Sequence, residues 1–407
     1  MNNLNLRAVK KTVVITHAGR SGSFLLHNLI DGHPAVLSHP PETLTNLELH
    51  IYSIFEKYRK HLIKSKNEPD QHQQSIQLSN VGLRLSESNY GTFTKDLVSF
   101  MPNIFKEWNK LPDAPPAHFK YIDSSSAIGV EMKRFISAVM VLLRHHFENY
   151  DILLPSDLFA LVFYSYFIAS GKGEISDAPI LVWQKHGGVY GNIDDIIIDP
   201  ISITTIRRPE DALDSWVAAY MDRWSDPSIA RKHYSESFES IPECYAQCVR
   251  STVAGLLPKP WANSQYAIRF EDMHRHTESL MKKVCEIIGI QWHPILLETT
   301  LDGKRVGFIH WYGGDIKKVT TGLNKNIEPT TTFKFIGLQD IWQLQAFFGR
   351  FFSKFHYTKF VTGNGFSKED CLFNLGQLKD ELYLMKTVVL PELIDTENRK
   401  TEFHLAG

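Results

Sequence analysis

The stretch from Thr12 to Glu42 constrains the fold more than any other. Thr12 to Thr16 (TVVIT) is an apolar run with the composition of a buried strand, and Phe24 to Ile30 (FLLHNLI) reads as a helix. Between them lies His17-Ala18-Gly19-Arg20-Ser21-Gly22-Ser23. Strand, glycine turn and helix in that order aim several backbone N–H groups and the positive helix end at one point, which suits an anion. Gly19 and Gly22 let the backbone curl and approach closely. Arg20 adds a permanent charge, Ser21 and Ser23 add hydroxyl donors, and Phe24 opens the helix. The alternative is a plain strand-to-helix turn that binds nothing, since short glycine motifs also match by chance. A nucleoside-triphosphate loop needs G-x-x-x-x-G-K-[ST], with a lysine for the outer phosphates. Here Ser23 and Phe24 follow Gly22 with no lysine, so the turn suits a phosphate but not a triphosphate with magnesium.

The chain beyond this turn keeps to an α/β plan with one interruption. Gly32-His33-Pro34 stops the helix, Ala35 to Ser38 reads as a short second strand, and Pro40 and Pro41 fix an extended path that delivers Glu42. Residues 44–178 break the rhythm: helices are expected over Leu47–Lys64, Phe93–Leu111, Ala127–Asn149 and Leu158–Ala169. The aromatic stripe Phe159, Phe163, Tyr164, Tyr166, Phe167 in the last of these reads as core. Apolar runs then resume at Pro179–Gln184, Ile201–Ile206 and Tyr266–Phe270, the last followed by a helix to about Ile288. Alternating strands and helices imply a parallel sheet whose ligands bind at the carboxyl ends of the strands. A late helix, Leu338–Phe355, is expected to bury Trp342, Leu344, Phe347, Phe348, Phe351 and Phe352. The expected organisation is one α/β domain over residues 1–370, with 44–178 as a helical insertion on the acceptor side. Residues 371–407 are expected to form a C-terminal helix and an extended end, packed on the core or on a second subunit of a homodimer.

The net charge of −1 provides no global basic field for nucleic acid or an anionic membrane, so phosphate recognition has to be local. Cys244, Cys248, Cys285 and Cys371 are too few and scattered for a disulfide framework, and no cluster has metal-ligand spacing. The segment MNNLNLRAVKK has no apolar signal core, and no run of 18 apolar residues exists, so the expectation is a cytoplasmic protein without a membrane span.

A second stretch carries phosphate chemistry. Arg207-Arg208-Pro209-Glu210-Asp211 follows a strand, with Pro209 suited to a first helical turn and Ser215 eight residues after Arg207. An arginine at a strand tip and a serine down the next helix are able to grip one phosphate from two sides, the arginine with two donors at once. A surface arginine and an ordinary helix serine are the alternative.

Together these stretches resemble the sulfotransferases that use 3'-phosphoadenosine 5'-phosphosulfate (PAPS). G-R-S-G-S before a helix is similar to that family's turn for the 5'-phosphosulfate. Arg207, Pro209, Asp211 and Ser215 match its R-x-P-x-D-x-x-x-S, whose arginine and serine hold the 3'-phosphate; Arg208 departs from the usual Asn or Asp. Tyr266 to Met273 is similar to its R-Y-E-D-L stretch and reads as structural. The resemblance covers 12–43 and 179–273, is closest in motif style to the tyrosylprotein sulfotransferases, and implies a P-loop-NTPase-like core. It further implies PAPS as donor, adenosine 3',5'-bisphosphate as product, and no metal.

In-line sulfuryl transfer needs positioning, stabilisation of charge on the leaving phosphate, and a base. Arg20 and then Lys185, at the tip of the strand PILVWQ, are the candidates for charge stabilisation; a solvated strand end is the alternative for Lys185. Glu42 is preferred as base, where the resembled enzymes carry a catalytic glutamate one residue earlier, and His186 is its rival. Lys317 and Lys318, in the loop Gly307 to Asn326, are assigned to closing over the donor, as a basic loop does in the family. The acceptor is a small molecule, sugar, lipid or peptide with a hydroxyl or amine. A small-molecule kinase of the P-loop type and a non-catalytic nucleotide-binding relative are the competing readings.

Overall fold

The computed structural model describes residues 5–17, 19–40, 47–58, 62–64, 81–85, 87–109, 119–121, 130–172, 175–185, 193, 196–222, 249, 251–308, 320–321, 323, 325, 337–352, 355–357 and 372–374. A six-stranded sheet forms its centre, in the order β13-β9-β8-β1-β7-β2. These strands are β1 (Lys11–His17), β2 (Val36–Ser38), β7 (Ile180–Gln184), β8 (Pro200–Ile206), β9 (Ser264–Arg269) and β13 (Leu372–Asn374). All neighbours run parallel except β13, which lies antiparallel to β9. Every residue of β7 and β8 is buried, as continuous apolar strands covered on both faces should be. The α/β expectation therefore holds, and the sheet also takes in three residues that the sequence reading places in the tail.

Alternation of side chains along β1 sorts the protein into two layers of core. Val13 and Ile15 pack with helix α1 (Ser23–Ile30) and with Leu280, Met281, Val284 and Ile288. Val14, with Leu37, Leu181 and Trp183, packs instead against the helices of the insertion. Those helices are α2 (Leu47–Lys57), α3 (Glu87–Asn109), α4 (Met132–Asn149) and α5 (Pro155–Ser170). Helix α5 is apolar on nearly all sides and is buried accordingly. Phe159, Phe163, Tyr164, Tyr166 and Phe167 are all core residues, with Phe159 edge-on to Trp183 at 5.3 Å between ring centroids.

The insertion is mainly helical but not wholly so. Residues Leu62–Lys64, expected to finish a helix, form strand β3, which pairs with β4 (Val81–Arg84) and through it with β6 (Ile152–Leu153). Strand β5 (Phe119–Tyr121) joins β10 (Thr300–Leu301), β11 (Lys304–Phe308) and β12 (Thr320–Thr321) in a separate sheet. At Leu62–Lys64 pairing with the next strand overrides the local helical pattern, while Phe119–Tyr121 finds its partner far along the chain in β11.

After β8 comes α6 (Pro209–Asp222); after β9 come α7 (Phe270–Arg275) and α8 (Thr277–Ile288), separated by the non-helical His276. The late helix, α9, spans Leu338–Phe352. Its expected apolar face is corrected: Ile341, Leu344 and Phe348 form the buried seam, while Trp342 is 64% exposed. Trp342 lies one residue beyond Ile341, a 100° rotation that takes it off the seam. Side chains of Phe347, Phe351 and Phe352 lie outside the described residues. Of the four cysteines only Cys285 is described; it is buried and unbridged.

Candidate functional site

Sheet order decides where a site belongs. From β1 the chain leaves through α1 toward β2 on one side; from neighbouring β8 it leaves through α6 toward β9 on the other. Two adjacent strands whose connections diverge open a crevice at their carboxyl ends, which is where open α/β sheets bind ligands. Register places His17 opposite Thr205 and Thr205 opposite Ile268, so all three strands end at one level. The turn after β1 and the Arg207 turn after β8 therefore sit side by side.

The turn is built for that position. Arg20 takes φ 56° and Gly22 φ 87°. The left-handed region costs an L-residue roughly 1–2 kcal/mol, and Gly22 nothing comparable. A side chain on Gly22 would run into the Phe270 ring, and one on Gly19 would meet the Trp216 ring, so both glycines are also required by close packing. Ser21 is buried and its hydroxyl donates to the Thr205 carbonyl at 2.7 Å. That hydroxyl, expected as a ligand donor, fastens the turn to β8. Gly19 N–H donates to Ser251 Oγ at 2.7 Å, which removes one backbone donor from the ligand's side. Gly22 is the N-cap of α1 and has no side chain to cap it; its carbonyl accepts from Leu26 N–H at 3.1 Å, and the N–H groups before Leu26 have no intrahelical acceptor.

Across the crevice, Arg20 Nε lies 3.5 Å from Ser215 Oγ. The two motifs, far apart in sequence, thus meet in one place. Arg207 stacks over the Phe270 ring at 4.6 Å, and Phe270 in turn packs against Gly22. Arg207 Nε is buried without a hydrogen-bond partner. Its neighbours are handled differently: Arg208 is bidentate with Asp211 at 2.9 and 3.1 Å, and Arg269 with Asp272 at 2.6 and 2.9 Å. Among the described residues neither Arg20 nor Arg207 has a carboxylate partner. Burial, and then the Arg207 charge, hold the His274 imidazole down at about 4, so at neutral pH it adds no further cation. Burial raises Glu271 and Glu210 above the usual carboxylate range; Tyr357 donates to Glu271 at 2.7 Å and Gln345 to Glu210 at 3.2 Å.

Lys185 is not a solvated strand end. It is buried at the tip of β7, ion-paired with the equally buried Glu48 of α2, and 5.4 Å above the Trp183 ring centroid. Sequence reasoning missed Glu48, although an acid in the first turn of a helix just after Glu42 was visible. It missed Gln184 too, whose amide donates to Ser23 Oγ at 2.9 Å; a polar residue closing an apolar strand was the available signal. Nothing in the sequence marks Ser251. Glu42, His186, Lys317 and Lys318 lie outside the described residues. Among the described residues no group of His, Cys, Asp and Glu is placed to hold a metal, and no helix is long and apolar enough to cross a membrane.

No family model matches the chain, and no curated protein matches it. Solved structures are similar to it, two of which are sulfotransferase domains. One is the sulfotransferase domain from the curacin biosynthetic pathway, 15% identical, covering 76% of this chain and 80% of that one, with TM-score 0.30. The other is the sulfotransferase domain from the Synechococcus PCC 7002 olefin synthase, 13% identical, covering 84% and 95%, with TM-score 0.33. The strand order and register of this chain, rather than that likeness, define its fold.

Proposed function

We propose that this chain is a sulfotransferase that moves the sulfuryl group of PAPS to a hydroxyl or amine of an acceptor. The reading is carried by one observation. The glycine turn after β1 and the Arg207–Ser215 segment after β8 face one crevice, 3.5 Å apart at Arg20 and Ser215, with Arg20 and Arg207 lacking carboxylate partners among the described residues. A nucleotide with phosphate groups at its 3' and 5' positions matches two separated anion sites of this kind.

In this reading the first turn of α1 and Ser23 hold the 5' end, while Arg207 and Ser215 hold the 3'-phosphate. Arg20 stabilises the charge that grows on the leaving phosphate. The sulfur–oxygen bond to that phosphate breaks as the bond to the acceptor oxygen or nitrogen forms. The acceptor's proton passes to a base, for which Glu42 is proposed ahead of His186. Lys185 is proposed to assist at the bridging oxygen, which requires Glu48 to release it. Lys317 and Lys318 are proposed to close over the donor.

The test is calorimetric titration with adenosine 3',5'-bisphosphate and, separately, with ATP and magnesium. Micromolar binding of the bisphosphate alone is the expected result; binding of ATP with magnesium and not of the bisphosphate would sink the reading in favour of a kinase. Labelled donor incubated with the protein and a fractionated cell extract, followed by mass analysis of what gains sulfate, then identifies the acceptor.

A further inference from the structure

Gln184 closes β7 and pairs in register with Ile15 of β1, directly beneath the glycine turn. Its side chain is buried, and so is that of Ser23, the first residue of α1. Amide Nε2 donates to Ser23 Oγ at 2.9 Å. A serine hydroxyl that accepts from an N–H keeps its own proton for a second partner. Among the described residues Ser23 donates to nothing, and the other end of the amide, Gln184 Oε1, is buried without a partner. A buried polar group left unmatched is costly, so Gln184 Oε1, beside a Ser23 proton that has no acceptor among the described residues, marks a place made for something polar.

The direction of the Ser23 proton matters because an anion only accepts. With its lone pair turned to the crevice, the hydroxyl would repel a phosphosulfate oxygen; with its proton turned there, it adds a donor to the backbone N–H groups of α1. The amide favours the second arrangement by occupying one of the two lone pairs. We propose that Gln184 is a positioning residue, which by donating to Ser23 Oγ turns the Ser23 proton toward the anionic oxygens held at the start of α1. The inference rests on the nucleotide reading above and adds to it a residue outside both sequence motifs. It also explains why an apolar strand covered on both faces ends on an amide: valine or leucine would leave the hydroxyl free to turn either way.

A carboxylate in place of the amide reverses the arrangement, since it accepts the Ser23 proton and draws it away from the ligand. The experiment measures the affinity of adenosine 3',5'-bisphosphate by calorimetry for the full chain, Ser23→Ala, Gln184→Met, Gln184→Glu and the double variant Ser23→Ala/Gln184→Met, from pH 8 to pH 5. Gln184→Glu should bind about tenfold or more weakly than the full chain at pH 8, the size expected for losing a hydrogen bond to a charged group. The ratio between the two should close as pH falls, because the introduced carboxyl, once protonated, donates to Ser23 as the amide does. Gln184→Met should weaken binding about threefold to tenfold, and should weaken it no further when Ser23 is already alanine. Independent, additive effects of Gln184→Met and Ser23→Ala, or a ratio for Gln184→Glu that stays flat with pH, would overturn the inference while leaving the nucleotide reading standing. No binding of the bisphosphate by the unaltered chain overturns both. If Gln184→Glu does not fold, the cycle of Ser23→Ala and Gln184→Met decides alone.

Discussion

The two ends of helix α1 are finished in opposite ways. At its C-terminal end Asp31 is buried and fully engaged: it accepts from Ser38 Oγ, from Lys172 Nζ at 2.6 Å and from the Gly303 N–H at 2.9 Å. Burial opposes its ionisation, but Lys172, His27 and the hydrogen bonds outweigh it and hold the carboxyl below its ordinary range. That cluster ties α1 to β2, to the end of α5 and to the turn between β10 and β11. At the N-terminal end the protein supplies donors and withholds acceptors: Gly22 caps nothing, Ser23 keeps a proton, and Arg207 Nε is unpartnered. The charge at the closed end is answered by hydrogen bonds from within the fold, whereas the strand-tip arginine has no carboxylate hydrogen-bonded to it among the described residues.

The largest effect should come from the closed end. Lys172→Met strands the Asp31 carboxylate in the interior and should lower unfolding free energy by about 3–5 kcal/mol in urea titrations. Bisphosphate affinity of the folded protein should stay as it was; a matching loss of affinity would erase the distinction between the two ends. Next, Arg20→Ala should slow transfer by about 3–4 kcal/mol of barrier, a few hundredfold in turnover, judged from the loss of comparable charge-stabilising donors. Its melting temperature should hardly move, because the side chain is exposed. Arg207→Met should follow, weakening bisphosphate binding by about 2 kcal/mol, the usual worth of a charged hydrogen bond, with little change in stability. Arg208→Met, one residue along, should do the reverse, because it leaves Asp211 buried without its bidentate partner.

The smallest effect per unit is the response to acid. Burial, ahead of every other cause, lowers the imidazole of His27 to about 4 and that of His39 to about 3. For a histidine held neutral by the fold, the unfolded chain binds more protons, so its contribution is fully present above about pH 6.5 and is lost as pH falls toward the folded value. Each histidine should cost at most about 1.4 kcal/mol per pH unit in that window. His27→Gln should flatten the slope measured by urea titration between pH 6.5 and 4; an unchanged slope would assign it to other groups.

Much of the open end was legible in the sequence and little of the closed end was. Glycines, a strand-tip arginine and a serine two helical turns later carry their chemistry in their spacing, so the crevice could be anticipated from Gly19 to Ser23 and from Arg207 to Ser215. Partners recruited from far away carry no such signal. Ser251 on Gly19, Glu48 on Lys185 and Lys172 on Asp31 become neighbours only through the order of the strands and the packing of the insertion. Pairing also explains Leu62–Lys64, where the following strand β4 redirects a helical pattern into a strand. In α9, one residue of helical rotation separates buried Ile341 from exposed Trp342, a distinction that a count of aromatic residues does not make.

Leu372–Asn374 lies along the outer side of β9 and closes that margin of the central sheet. During synthesis the glycine turn is made well before this closing strand. From the synthesis of β9 until that of Leu372–Asn374, the outer edge of β9 has unpaired backbone groups open to another extended peptide. The border of the sheet is therefore finished by the last made of its described strands, after the two that frame the crevice.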